Sequence, residues 1–235
     1  VYVSVDGGSK WTKTHDGYLD GVFNSYGYYF GMIEVAPDNP NQLYIMGVPI
    51  LRSDDGGVNW TNAGGDNVHA DHHALWLNPK RPGHIINGND GGLNVSRDMG
   101  KTWFFAEGIT VGQFYHINVD NQKPYNVMGG MQDNGSWRGP AYTWIDDGIK
   151  NYYWESLYGG DGFDVMPDAE EKDWVYTMSQ EGNLVRTNIS TGETWGIKPP
   201  MIDKKNPLRF NWNSAIAQDP FDKKTIYFGS QYVHK

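Results

Sequence analysis

Short apolar runs recur along this chain, each closed by a polar turn. The first kind of run ends in Asp, Asn, Pro and Lys: "MIEVAPDNPNQ", "ALWLNPKRPGH", "HINVDNQKPY", "FDVMPDAEEKD" and "AIAQDPFDKKT". Those residue types favour tight turns, by hydrogen-bonding their own backbone or by pre-setting φ. Each turn leads into a second apolar run: "LYIMG", "HIING", "YNVMG", "WVYTM" and "TIYFG". The turns at Pro37, Pro79, Asp120, Pro167 and Pro220 lie 41 to 53 residues apart. No long segment carries the 3.6-residue apolar period of a helix.

A polar pattern, S-x-D-x-G-x-x-W, recurs between these runs. It occurs as "SVDGGSKW" (Ser4, Asp6, Gly8, Trp11), "SDDGGVNW" (Ser53, Asp55, Gly57, Trp60) and "SRDMGKTW" (Ser96, Asp98, Gly100, Trp103). A shortened copy, "QDNGSW", holds Asp133 and Trp137, and a worn copy, "TNISTGETW", runs from Thr187 to Trp195. The Gly suits a positive φ in a hairpin. The Asp carboxylate can accept N–H bonds within its own turn, and the Ser hydroxyl can serve a nearby backbone group. The Trp would open a strand and pack inward, removing roughly 150–250 Å² from water, a gross gain of about 4–6 kcal/mol. These boxes therefore read as scaffold, since the same element in every blade would demand several active sites.

Together the patterns predict one repeat: strand A over Ile33–Ala36, B over Leu43–Gly47, C over Pro49–Ser53, the box as a hairpin, and D from Trp60. Four short strands at a period of about forty to fifty residues predict an all-β fold, a β-propeller of four-stranded antiparallel blades. About five blades' worth of chain is present, and residues 1–235 are expected to form a single propeller domain or a propeller fragment. The chain starts and ends in a C strand. Either its terminal strands share one blade and close a five-bladed ring, or it belongs to a larger propeller. The second reading is preferred because "QYVHK" stops where another box would begin and "VYVS" would compete for the same strand position.

Composition sharpens this picture. Aromatics are 14% of the 235 residues and Gly numbers 30, which suits short strands joined by tight turns. A net charge of −9 without a Lys/Arg cluster gives no electrostatic reason to hold nucleic acid. No apolar run is long enough to span a membrane. Cys is absent, so disulfides and thiolate metal sites are excluded. The chain opens at Val1 within an apparent strand, without Met or a signal peptide, which reads as a processed product or an excised piece.

If the boxes are scaffold, chemistry belongs where the repeats disagree. The segments leading into the five A strands are "YGYYFG", "HADHH", "VGQFYH", "YGGDG" and "RFNWNS". They are rich in His, Asp, Asn and aromatics, and in a propeller they converge around one mouth of the channel. The candidate ligand-binding residues are His69, Asp71, His72, His73, Gln113, Tyr115, Asn211 and Trp212. In an extended chain His69, Asp71 and His73 would share one face and His72 the other. That set could hold a metal ion, or form a hydrogen-bonded polar ring, which is the preferred reading with no cofactor required. Two long inserts, after Trp137 and after Trp195, add exposed aromatics, among them Tyr153 and Trp154. They suit a sugar-stacking or peptide-binding rim, or alternatively contacts between blades.

S-x-D-x-G-x-x-W resembles the Asp-box, or BNR repeat, of sialidases, xyloglucan-active hydrolases and sortilin-type receptor domains. From Val68 to Pro220 the chain most resembles secreted bacterial proteins of the sortilin-like and "glycosyl hydrolase, BNR repeat" groups, through "HADHHALWLNP", "GNDGGLNVSRDMGKTW", "GQFYHINVDNQKPYNVMGGMQDNGSW", "GGDGFDVMPD" and "RFNWNSAIAQDP". The resemblance implies a secreted, periplasmic or cell-surface protein, bacterial by preference, with its boxes away from the ligand face. It also implies a glycan, peptide or protein ligand and a longer polypeptide or assembly. The xyloglucan-active enzymes use two Asp residues in D-x-G-G-like contexts as acid and base. Asp90 and Asp161 are the nearest matches, and the alternative is that both cap turns. An inverting pair would need about 6.5–9.5 Å between carboxyls. The arginine triad of sialidases has no counterpart, Arg138 and Arg209 being the only arginines in the inserts. Three functions follow: a ligand-binding propeller, an inverting glycoside hydrolase acting on a β-glucan or xyloglucan, or a structural segment of an extracellular assembly.

Overall fold

A computed structural model of the chain describes residues 1–19, 21–24, 26–29, 31–109, 111–201 and 203–235. Phe30, within the first lead-in segment "YGYYFG", lies outside the described residues. The chain forms two compact units, Val1–Ile109 and Thr110–Lys235.

The first unit holds β1 (Tyr2–Val3) and β2 (Thr12–Lys13), then β3 (Met32–Ala36), β4 (Asn39–Met46), β5 (Ile50–Ser53) and β6 (Thr61–Asn62), then β7 (His72–Leu77), β8 (Ile85–Asn89), β9 (Gly92–Ser96) and β10 (Phe104–Phe105). The second unit holds β11 (His116–Val119), β12 (Asn126–Met131), β13 (Gly135–Pro140) and β14 (Glu155–Tyr158), then β15 (Val165–Pro167), β16 (Trp174–Ser179), β17 (Asn183–Asn188) and β18 (Thr194–Gly196), and finally β19 (Ile216–Gln218), β20 (Ile226–Gly229) and β21 (Val233–His234). Four sheets run β3-β4-β5-β6, β7-β8-β9-β10, β11-β12-β13-β14 and β15-β16-β17-β18; β1-β2 and β19-β20-β21 are shorter. Neighbouring strands are antiparallel throughout, as in Ile33 opposite Ile45 and Tyr44 opposite Arg52. Each four-stranded meander is the blade of a β-propeller, so the fold class is all-β, of propeller blades. The strands expected at residues 33–36, 43–47 and 49–53 are present, with β4 starting earlier at Asn39 because the chain turns within "PDN".

Apolar side chains fill the space between blades. Tyr44, Met46, Ile50, Ala63, Ile85 and Trp103 form one buried cluster in the first unit. Phe163, Met178, Leu184 and Phe228 form another in the second, beside Met128, Val165 and Val175. The approach of adjacent blades is close. A Cβ on Gly130 would sit 2.2 Å from the carbonyl carbon of Gly162, so no side chain fits there.

The three full boxes share one hydrogen-bond scheme. Ser4, Ser53 and Ser96 Oγ each donate to the Asp two residues on, at 2.8–2.9 Å, and accept the N–H of Gly8, Gly57 and Gly100, also at 2.8–2.9 Å. The carboxylates of Asp6, Asp55 and Asp98 in turn accept the N–H of Lys10, Asn59 and Thr102. These bonds hold the Asp55 and Asp98 carboxyls down to about 2. The tryptophans differ. Trp103 is buried, 5% exposed, and donates to Ala63 O at 2.7 Å, whereas Trp11 is 63% exposed and donates to Gly8 O. Inward burial therefore belongs to Trp103 and not to every copy.

One reading of the pattern is corrected. "QDNGSW" is no shortened box between C and D strands. Met131 pairs with Gly135, so Asp133 sits in the turn from β12 to β13, and Trp137 lies inside β13 opposite Gly129. Asp133 thus corresponds in its blade to Asp90, in the turn from β8 to β9. The third-to-fourth strand connection of that blade is instead the long insert between β13 and β14.

Candidate functional site

In an antiparallel four-stranded blade, the segment leading into the first strand and the turn between the second and third strands lie at the same end. The structure joins these two elements across blade junctions by backbone hydrogen bonds. His72 N–H donates to Gly47 O at 2.8 Å, Gly162 N–H to Met131 O at 2.8 Å, and Glu181 N–H to Trp212 O at 3.3 Å. The lead-in residues of one blade are thereby held against the turn of the blade before it.

In the first unit the lead-in residues His69, Asp71, His72 and His73 also lie beside the turn of their own blade that carries Asp90, whose N–H donates to Asp71 O at 3.2 Å. The extended run of "HADHH" is interrupted at Asp71, which takes φ +62, a left-handed conformation that Asp tolerates better than most residues. The strand then begins at His72, which turns inward. Its Nδ1–H donates to Asn87 Oδ1 at 2.8 Å, and burial lowers its pKa, only partly offset by that bond. His73 Nε2 donates to Asp90 Oδ1 at 2.8 Å while its ring meets Tyr29 edge-on at 5.0 Å. His69 Nδ1 is spent on Ala70 O. The carboxylate oxygens of Asp71 and Asp90 come within 4.8 Å of each other. Burial raises the Asp71 carboxyl, the Asp90 charge adds to this, and His69 and His73 oppose it. Of the set His69, Asp71 and His73, the last two both meet Asp90, and both histidines act on the Asp71 charge.

In the second unit three lead-in segments meet. Asp161 is 4% exposed, and both carboxylate oxygens are engaged: Oδ1 accepts Asp133 N–H at 3.0 Å and Oδ2 accepts Trp212 Nε1–H at 2.7 Å. Its own N–H donates to Gln180 Oε1. Trp212 is 49% exposed, its indole edge fixed by Asp161 and its N–H by Asn211 Oδ1 at 2.7 Å. Tyr115 donates to Gln132 Oε1 and lies on Phe163 with ring centroids 5.1 Å apart. Burial raises the Tyr115 phenol, helped by the Asp161 and Asp133 charges. Gln113 is exposed just ahead of β11.

Two residues that the sequence pattern did not single out join this group. Asp164 is raised by burial against the pull of His116, whose Nδ1 lies 3.9 Å from Asp164 Oδ1. Asn213 Nδ2 donates to His116 Nε2 at 3.4 Å. They are 48 and 97 residues apart from His116, and only the lead-in register connects them.

Tyr153 and Trp154 do not belong to this end of the blade. They close the insert between β13 and β14, the connection that carries the boxes in other blades. Trp154 lies on Phe114 at 6.0 Å, and a Cβ on Gly139 would come within 2.5 Å of its ring. It covers its own blade, while Tyr153 lies against Tyr152 at 4.5 Å.

No protein-family model and no curated protein matches the chain. Among solved structures, it is similar to a GH74 xyloglucanase from Xanthomonas campestris at 17% identity, covering 88% of this chain and 36% of that one, TM-score 0.36. It is also similar to a GH74 enzyme of Niastella koreensis at 15% identity, covering 84% and 33%, TM-score 0.34. A third similarity is to YCF48 bound to D1 peptide, at 15% identity, covering 81% and 57%, TM-score 0.32. The chain spans about a third of the length of the two GH74 enzymes. No residue role is carried over from them. No helix among the described residues is long and apolar enough to cross a membrane.

Proposed function

We propose that this chain is an extracytoplasmic Asp-box propeller, or a segment of one, that binds a glycan, peptide or protein at the strand-A lead-in segments of its second unit. The observation that carries this reading is Trp212. Its ring is half exposed, yet its Nε1–H is fixed by a buried carboxylate whose other oxygen is held by Asp133 N–H. A pre-oriented aromatic face costs little entropy on binding and stacks on a sugar ring or a peptide side chain. Tyr115, Gln132, His116, Asp164 and Asn213 supply hydrogen-bonding groups beside it. The reading is tested on glycan and peptide arrays, followed by titration of the best ligand against the wild-type chain and Trp212→Ala. Loss of binding in a folded variant supports it. Undiminished binding by that variant would sink it.

A second reading, glycoside hydrolysis, is favoured by one observation in the first unit. Asp71 and Asp90 are close, and burial holds the Asp71 carboxyl toward its protonated form. A carboxyl raised in this way suits protonation of a leaving-group oxygen. Asp161, with both oxygens already bonded, supports the first reading as an anchor for Trp212 better than a role as acid or base. Turnover of a β-glucan or xyloglucan by the wild-type chain, lost in both Asp71→Asn and Asp90→Asn, is the outcome this reading requires.

A further inference from the structure

At the opposite end of the second unit's blades lies a cavity of about 580 Å³. It is bounded by the A–B turns after β11 and β15 and by Gln218 at the end of β19. This volume falls within the range of small-molecule sites, about 300–1,000 Å³. None of its residues belongs to the lead-in segments described above.

The wall chemistry is specific. Of the three carboxylates that line it, Asp120 and Asp168 are already engaged. Asp120 accepts the N–H of Gln122 and both the backbone and side-chain nitrogens of Asn126. Asp168 accepts Glu170 N–H, Glu171 N–H, Tyr176 OH and Arg186. What remains for a ligand is a set of primary amides: Asn118, Asn121, Gln122 and Gln218 all line the cavity. Asn118 and Gln218 each commit one amide hydrogen, to Val165 O and Lys223 O. The side chains of Asn121 and Gln122 hydrogen-bond to no other described residue. Val119, Met166 and Pro167 add apolar wall between the amides. Glu170 and Lys172, of opposite sign, sit on the same turn, and Arg186 pairs with Asp168 at 2.8 Å.

A primary amide offers donor and acceptor side by side. Several of them around a partly apolar wall match a ligand with adjacent hydroxyls on one side and C–H groups on the other. We propose that this cavity is a second ligand site, distinct from the lead-in rim, for a neutral mono- or disaccharide.

Saturation-transfer NMR and calorimetry of the full chain with a panel of neutral mono- and disaccharides, at millimolar concentration, test this. The comparison variants are Asn121→Ala/Gln122→Ala, in solvent-facing turns where truncation should leave the fold intact, and Trp212→Ala in the rim. Saccharide binding weakened about tenfold in the turn double variant, and still present in Trp212→Ala, is the expected result. Binding abolished by Trp212→Ala alone would assign the saccharide to the rim and overturn the proposal. So would binding of zwitterionic dipeptides in place of sugars, dependent on Glu170 and Lys172, or no binding by any member of the panel.

Discussion

The carboxylate of Asp161 accepts the indole N–H of Trp212 at 2.7 Å, across 51 residues of sequence. The bond joins the lead-in segments of two blades. It runs from an acid that is almost wholly buried to a ring that is half in solvent.

Asp161→Asn keeps the size of the side chain but offers a single acceptor oxygen. Its NH2 would then face either Asp133 N–H or Trp212 Nε1–H, donor against donor. The expected cost is about 1–3 kcal/mol, read as a lower urea midpoint, together with altered Trp212 fluorescence. An unchanged midpoint and spectrum would show that the carboxylate does not anchor the ring.

Equivalent box positions should respond unequally. Trp103 is enclosed by the core cluster of Tyr44, Met46, Ile50 and Ile85. Trp103→Ala is expected to cost about 3–5 kcal/mol. Trp11→Ala, at an exposed position, should stay within about 0.5 kcal/mol. Paired denaturant titrations of the two variants check this, and equal losses would contradict the difference in burial.

The boxes also predict an acid limit. Asp55 and Asp98 are held down to about 2 by donors within their own turns. A carboxyl lowered on folding contributes its stability fully above the unfolded value of about 3.9 and loses it as pH falls through the folded value. The denaturation midpoint should therefore decline between about pH 4 and 2. Asp98→Asn should be destabilised at neutral pH and show a shallower decline across that window.

Asp71 carries the opposite sign. Its folded carboxyl is raised, so its contribution favours the protonated form and is lost as pH rises through that value. Asp71→Asn should stabilise the chain at neutral pH. Carboxyl carbon NMR should find Asp71 titrating above the ordinary Asp range, and lower in Asp90→Asn because one of the two causes is gone. An unmoved Asp71 titration in that variant would mean that burial alone sets it.

The blades were legible because their signal repeats. Turn chemistry at Pro37, Pro79 and Pro167, with an apolar run on either side, marks strands without reference to the rest of the fold. The misread copy, "QDNGSW", has a Gly and a Trp at plausible spacing, but the turn it forms joins β12 to β13. A one-turn shift of this kind leaves no mark in composition. At "HADHH" the positive φ of Asp71 breaks the extended run, a feature with no sequence mark, yet His72 turns inward to Asn87 while Asp71 and His73 both meet Asp90. His116 and Asn213 lie in lead-in segments that the sequence marks, but their meeting with Asp164 depends on blade register, a long-range property with no local signal.

The junctions between blades are made main chain to main chain, as in His72 to Gly47, Gly162 to Met131 and Glu181 to Trp212. Side chains at many of these positions carry none of that connection. Gly47 and Gly162 leave no room for a Cβ, so variation that changes which molecule is recognised is confined to lead-in residues whose side chains stand clear of these junctions.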